Sequence, residues 1–261
     1  MIDTAQTLLA ALSGIAVGFT LGLVGGGGSI LAVPLMVYVV GVRSPHIAIG
    51  TSALAVAANA LAGLANHARA HNVNWRCGGA YALAGVAGAF AGSSFGKAFD
   101  GQKLLFLFAL LMIVIAVLMY RSRHGEGVEG VICNRDNFPK VAGFGLGTGA
   151  LSGFFGIGGG FLIVPGLIAS TSMPIYRAIG TSLVAVSAFG LTTALNYAAS
   201  GLIDWPLAAS FIGGGIAGSL LGTRVSRRLA AEKGTLNAMF ATLVLGVAVY
   251  MLTKSWFALQ G

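Results

Sequence analysis

The sequence predicts an all-α polytopic membrane protein of two inverted-topology repeats, each of about five helical segments with a glycine-rich broken or re-entrant hairpin. Three observations carry this reading. The 261 residues are 56% hydrophobic and only 8% charged, with a mean hydropathy of +0.88, where a soluble domain carries about 25% charged residues. One glycine-rich stretch occurs twice, as GLVGGGGSILAVP from Gly22 to Pro34 and GFFGIGGGFLIVP from Gly153 to Pro165. Finally, the basic residues fall unevenly on the two sides of the membrane only if each glycine stretch reverses the chain.

The elements follow in order. Apolar segments fall at about 4–24, 29–42, 46–69, 77–97 and 103–120, and after the Arg121–Lys140 linker at about 141–155, 160–173, 177–200, 206–223 and 235–253. The first lacks a basic start and a cleavage site, so it reads as a helix that stays. The expected organisation is residues 1–120 as the first repeat, 121–140 as a cytoplasmic linker and 141–261 as the second repeat. An offset of 131 superposes Gly25, Gly27 and Gly28 on Gly156, Gly158 and Gly159; an offset of 130 superposes Ala48–Ser52 on Ala178–Ser182, Asn66 on Asn196 and Trp75 on Trp205.

Clustered glycines are poor helix formers, at about 1 kcal/mol each against Ala, so each run reads as a turn followed by a new helix at Ser29 or Gly160. The limbs 29–42 and 160–173 hold 14 residues, roughly 21 Å of helix against a ~30 Å hydrocarbon core. They re-enter or cross a thin region. If both turns reverse the chain, Arg43, Lys97, Lys103 and Lys254 share one side and the other eleven basic residues share the opposite one; if they are mere kinks, the split is seven against eight. The asymmetric solution puts both termini outside. Rows at i, i+4, such as Gly14, Gly18, Gly22 and Gly145, Gly149, Gly153, or Gly88, Gly92 and Gly218, Gly222, read as close helix packing.

The net charge of +8 reports orientation rather than nucleic-acid binding. All seven acidic residues lie in loops or near segment ends, which argues against a cation substrate and a carboxylate proton relay. No metal-ligand cluster, nucleophile–base pair or phosphate loop is present, so no enzyme activity, cofactor or metal is expected. Cys77 and Cys133 read as ordinary free thiols, and Trp75 and Trp205 as interface anchors.

Helix starts after the glycine turns offer backbone N–H groups and the positive helix end to an anion. The candidate binding residues are therefore Gly27, Gly28, Ser29, Gly158, Gly159 and Gly160, with the hydroxyls of Thr51, Ser52, Thr181 and Ser182 and the amide of Asn59. The competing reading of the glycines is a tight turn alone, and of the hydroxyls helix–helix hydrogen bonding. Asn59 breaks the repeat, Phe189 standing in its place. Asn66, Asn196 and Arg177 are gate candidates whose plainer roles are capping and topology. His67 and His71 read as solvated interface residues.

The paired glycine hairpins ending in Pro34 and Pro165, with the repeated Ala-Ile-Gly-Thr-Ser at 48–52 and 178–182, resemble the sulfite exporter TauE/SafE family over nearly the whole chain. The resemblance implies a secondary transporter, read as an exporter, of sulfur-containing anions such as sulfite, thiosulfate or organosulfonates across a bacterial inner membrane. The alternatives are an anion channel or a permease for another small carboxylate or oxyanion. Expected partners are the small anion and membrane lipid, with homo-oligomerisation left open and no nucleic acid. Ile157 replaces a glycine of the first run, so the two turns are not expected to bind equally.

Overall fold

The computed structural model describes residues 4–121, 133, 137–228 and 233–260. Among them there is no strand. The elements are α1 (Thr4–Val24), a broken limb from Gly25 to Val39, α3 (Pro45–Arg69), α4 (Trp75–Ala98), α5 (Gly101–Arg121), α6 (Phe138–Phe155), α7 (Gly160–Thr171), α8 (Ile175–Ala198), α9 (Trp205–Arg228) and α10 (Lys233–Gln260). The limb joins a 3-10 stretch (Gly25–Leu31), one α-turn (α2, Ala32–Pro34) and a π-turn (Leu35–Val39). Four consecutive glycines deny it a regular helix. Among the described residues, five helices are long and apolar enough to cross a membrane: Thr4–Leu23, Pro45–Arg69, Gly101–Leu118, Ile175–Ala198 and Trp205–Val225.

Local chemistry sets the helix starts. Ser44 accepts a hydrogen bond from the Ile47 amide at 3.5 Å and is followed by Pro45 at the first helical position. Asn74 caps α4 by accepting from the Cys77 amide at 3.2 Å, and Asp204 accepts from Leu207 at 3.1 Å at the start of α9. Asp100 accepts from Gln102 and Lys103 at the start of α5. The two carboxylates Asp100 and Asp204 are thus helix caps.

The halves are interleaved. α1 packs on α9, α4 on α6, α3 on α8, α5 on α10 and α7 on the Gly25–Leu31 stretch. Exchanging the halves turns this set of pairs into itself. Glycine rows make the closest approaches: Gly14, Gly18 and Gly22 face the backbones of Phe211, Gly215 and Ser219, while Gly145, Gly149 and Gly153 face those of Tyr81, Gly85 and Ala89. Residue numbers rise together in both pairs, so α1 runs parallel to α9 and α4 to α6.

The same reading gives the remaining directions. Thr51 and Asn59 of α3 meet Asp204 and Gly215 of α9, so those helices are parallel; Gly78, Gly85 and Lys97 of α4 meet Thr181, Phe189 and Asn196 of α8, again parallel. Gly50 and Gly63 of α3 meet Tyr197 and Leu183 of α8, and Gly180 meets His67, so α3 and α8 are antiparallel. Since α1 and α3 share a direction through α9, the chain must turn back between them, and the same holds for α6 and α8. Each glycine stretch is therefore a reversal and not a kink.

One sequence expectation is corrected. Cys77 and Cys133 are joined in a disulfide, with Cα atoms 5.4 Å apart, a separation that fits such a bond. Cys133 is thus held at the start of α4, which sequence spacing cannot reveal. Trp75 and Trp205 are both exposed at the first positions of α4 and α9.

These packings predict which glycines tolerate a side chain. Gly18→Val places its Cβ against the Gly215 backbone, whereas Gly213 of the same α9 helix has open space around it. Overpacking against rigid backbone costs upward of 1–3 kcal/mol. Gly18→Val is expected to lose its sharp melting transition in detergent, and Gly213→Val to keep the parental one.

Candidate substrate site

The second hairpin turn is built from left-handed glycines: Gly156, Gly158 and Gly159 have φ of 67°, 65° and 66°, a region that glycine enters at no steric cost. The turn dips into the middle of the bundle. A methyl group built on Gly158 would lie 2.8 Å from Val56 and 3.3 Å from Val186. Those valines stand near the midpoints of α3 and α8 and are equivalent under the 130-residue repeat. The turn therefore presents the start of α7 at mid-depth, between the two central helices.

Three polar features lie near this depth. The first amides of α7 have no intrahelical acceptor, and the capping residue Gly159 supplies no side chain. Ser152 of α6 is fully buried, its hydroxyl has no partner, and it sits against Gly159, 2.8 Å from where a Cβ would lie. Asn59, one helical turn beyond Val56 on α3, is fully buried with both amide atoms unpartnered. It presses on Gly215 of α9. A buried amide without partners costs about 1–3 kcal/mol, so the fold carries a penalty at this position that a ligand would relieve.

The first hairpin lacks this chemistry. Phe189 stands where the repeat places Asn59 and packs on Gly85, the equivalent of Gly215. Leu21 stands where it places Ser152, and the Cβ position of Gly28 is filled by the backbone of Thr20 and Leu21. Gly28 is thus required by close approach to α1. Gly27, Gly28 and Ser29 are buried in the 3-10 stretch, as is Gly160 at the start of α7.

The other candidates are held elsewhere. The Thr51 hydroxyl accepts from the Asp204 amide at 3.0 Å, and its equivalent Thr181 accepts from the Asn74 amide at 3.0 Å. Both fasten the start of a helix of the other half. Ser52 donates to the Ile49 carbonyl at 3.0 Å and Ser182 to that of Ile179 at 2.8 Å, each within its own helix. Asn196 ties α8 to α4: its Oδ1 accepts from Lys97 Nζ at 2.8 Å and its Nδ2 donates to Ser93 and Ser94 at 2.7 and 2.9 Å. Arg177 is exposed and Asn66 partly buried near the end of α3, its carbonyl accepting from the Ala70 amide. His67 is half-buried against Asn72 at 3.0 Å, and His71 is exposed. Ser152 escaped the sequence reading because a single buried serine beside small residues looks like packing; its mismatch with Leu21 under the repeat is the signal that exposes it.

Residues 10–251 match the family described as sulfite exporter TauE/SafE. The chain belongs to this family. Its relatives include a probable membrane transporter protein of Xylella fastidiosa strain 9a5c, 53% identical over 98% of this chain and 99% of that one. Another of the same description, from Methanocaldococcus jannaschii, is 26% identical over 91% and 94%, and one from Bacillus subtilis is 24% identical over 89% and 93%. No solved structure matches the chain. This TauE/SafE protein is a multi-pass membrane transporter.

Three substitutions separate fastening groups from unpartnered ones. Thr51→Val and Thr181→Val each strip a backbone N–H of its acceptor, at about 1–3 kcal/mol, and are expected to lower the melting temperature. Asn59→Leu removes unpaired amide atoms and is expected to raise it, with transport lost. A melting temperature that falls in Asn59→Leu would mean that the amide is satisfied in the folded protein.

Proposed function

We propose that this TauE/SafE protein is a secondary transporter that exports a small sulfur-containing oxyanion, with sulfite, thiosulfate and organosulfonates as the substrate class, across the bacterial inner membrane. The anion sits at mid-depth against the second hairpin. Amides at the start of α7 meet its charge, aided by the positive helix end. The Ser152 hydroxyl and the Asn59 amide give two directional hydrogen bonds. The observation that carries this reading is the coincidence of an uncapped helix start with two buried side chains whose polar atoms lack partners. An oxyanion has acceptor oxygens for the α7 amides, the Ser152 hydroxyl and the Asn59 Nδ2, and no demand for a carboxylate.

The binding groups are buried, which suits a carrier that occludes its substrate better than a standing pore. One half rocking against the other would open the site to each side in turn. The inside-negative potential is worth about 2.3 kcal/mol per charge per 100 mV, enough to drive an anion outward without a coupling ion. Such a mechanism asks no chemistry of the protein beyond binding and movement, hence no enzymatic role and no cofactor. Both termini face the periplasm in this scheme.

Reconstituted protein should move radiolabelled sulfite, thiosulfate or an organosulfonate into proteoliposomes at a rate that rises with an imposed potential, positive inside. Ser152→Ala should weaken transport about 2- to 13-fold, the worth of one neutral hydrogen bond. Ser52→Ala should change it less, since that hydroxyl serves its own helix. Voltage-independent flux, or Ser152→Ala protein with parental affinity, would overturn the site as drawn.

Orientation has its own test. With the linker in the cytoplasm, the Cys77–Cys133 pair is expected to be reduced in growing cells and to close on oxidation, because cytosolic thiols are kept reduced. Acid-quenched cells treated with a mass-tagging maleimide should show two reactive thiols. A pair that stays bonded in growing cells would place the linker outside and invert the scheme.

A further inference from the structure

The antiparallel pair α3 and α8 carries a histidine–tyrosine ring pair at each end. At one end His67 lies 6.2 Å from Tyr176; at the other His46 lies 6.5 Å from Tyr197. The repeat superposes His46 on Tyr176 and His67 on Tyr197, so both ends are built from equivalent positions. Their polar chemistry differs. At the first end Asn72, itself buried, has its Nδ2 3.0 Å from His67 Nδ1 and donates to the Tyr176 carbonyl at 2.9 Å. At the second end the repeat puts Leu202 where Asn72 stands. There His46 Nδ1 and the Tyr197 hydroxyl have no partner, and neither does the Thr193 hydroxyl, one turn deeper on the same face of α8. Tyr197 and Thr193 are fully buried.

A cation stands over this end. Lys97 Nζ is 6.0 Å from the Tyr197 ring centroid. It donates to the Asn196 carbonyl at 2.9 Å, to Asn196 Oδ1 at 2.8 Å and to the Ser200 hydroxyl at 2.8 Å. All three acceptors are neutral. They fix the ammonium in place at the C-terminal end of α8, where it also caps the Asn196 carbonyl, and no carboxylate is among them.

We propose that His46, Thr193, Tyr197 and Lys97 form a second site for a small oxyanion, a waiting station between the mid-depth site and the periplasmic surface. It deepens the anion reading above and rests on it for the identity of the substrate. Lys97 supplies attraction at a distance rather than a direct bond. The Tyr197 and Thr193 hydroxyls and the His46 ring supply contacts. The tied His67–Asn72–Tyr176 end has no such vacancy, so the path is polar toward one side only in this conformation.

The test uses charge and no particular substrate. In a Cys77→Ser, Cys133→Ser background, Thr193→Cys protein in right-side-out vesicles is treated with anionic sulfonatoethyl and cationic trimethylammonioethyl methanethiosulfonate. After normalisation to a free thiol, the anionic reagent should react faster by about tenfold or more, the effect of one nearby charge at intermediate dielectric. Lys97→Gln should abolish the preference while its melting temperature shows that the protein is folded. Should Lys97→Gln fail to fold, addition of 0.5–1 M salt to the parent background must erode the preference instead, roughly as exposed charges are screened. A thiol that does not react, or reacts without a Lys97-dependent or salt-dependent preference, overturns the proposal. In parallel, Tyr197→Phe should slow sulfite flux about 2- to 13-fold; parental flux would overturn the hydroxyl's role. A parent that carries no sulfite yet shows the charge preference sinks the substrate assignment and supports the site.

Discussion

The structure depends on helix backbones that touch. In lipid no hydrophobic force draws one apolar helix to another, so association rests on close van der Waals packing and hydrogen bonds. Gly18 against Gly215 and Gly149 against Gly85 are places where any side chain would part the helices. These contacts run between halves, α1 to α9 and α4 to α6. They hold α3 and α8 side by side in the centre and leave room for a glycine turn to reach Val56 and Val186. That turn's depth sets where the start of α7 lies in the bundle.

Repetition places the groups, and departures from repetition supply the chemistry. Thr51 with Asp204 and Thr181 with Asn74 are the same device used twice. Asn59 against Phe189, Ser152 against Leu21 and Asn72 against Leu202 are positions where the copies have diverged. The first two of these set the surroundings of the two hairpins apart. The third leaves one end of the α3–α8 pair tied and the other with unpaired groups. A symmetric protein would offer two equal ends and two equal hairpins; this one leaves the Ser152 hydroxyl unpartnered beside Gly159 and the Asn59 amide unpartnered on α3.

Much of the fold was legible because it rests on composition and spacing. Apolar segments, the two glycine turns and the reversal inferred from basic residues all reappear as helices and chain directions. Less of the site was legible. Thr51 and Thr181 looked like substrate ligands because a hydroxyl in an apolar segment needs a partner, and sequence cannot say that the partner is a backbone amide over 100 residues away. Ser52 and Ser182 spend their hydroxyls on their own helices, an outcome open to any serine. The disulfide was missed because Cys133 lies in a polar stretch whose path no periodicity describes. Asn59 stands out in the sequence for a physical reason, since it interrupts both the repeat and the apolar interior at once, and the structure leaves its amide without partners.

The exchange of partners between halves also bears on how the chain is made. As the nascent polypeptide leaves the ribosome, α1 and α4 enter the bilayer well before α6 and α9 exist. Their glycine faces must wait, bounded by lipid or by an insertase, until the second half is threaded in beside them. Neither half has a complete set of neighbours by itself. A ribosome stalled after residue 120 would leave α1 and α4 exposing the small-residue grooves that membrane proteases and quality-control factors can grip.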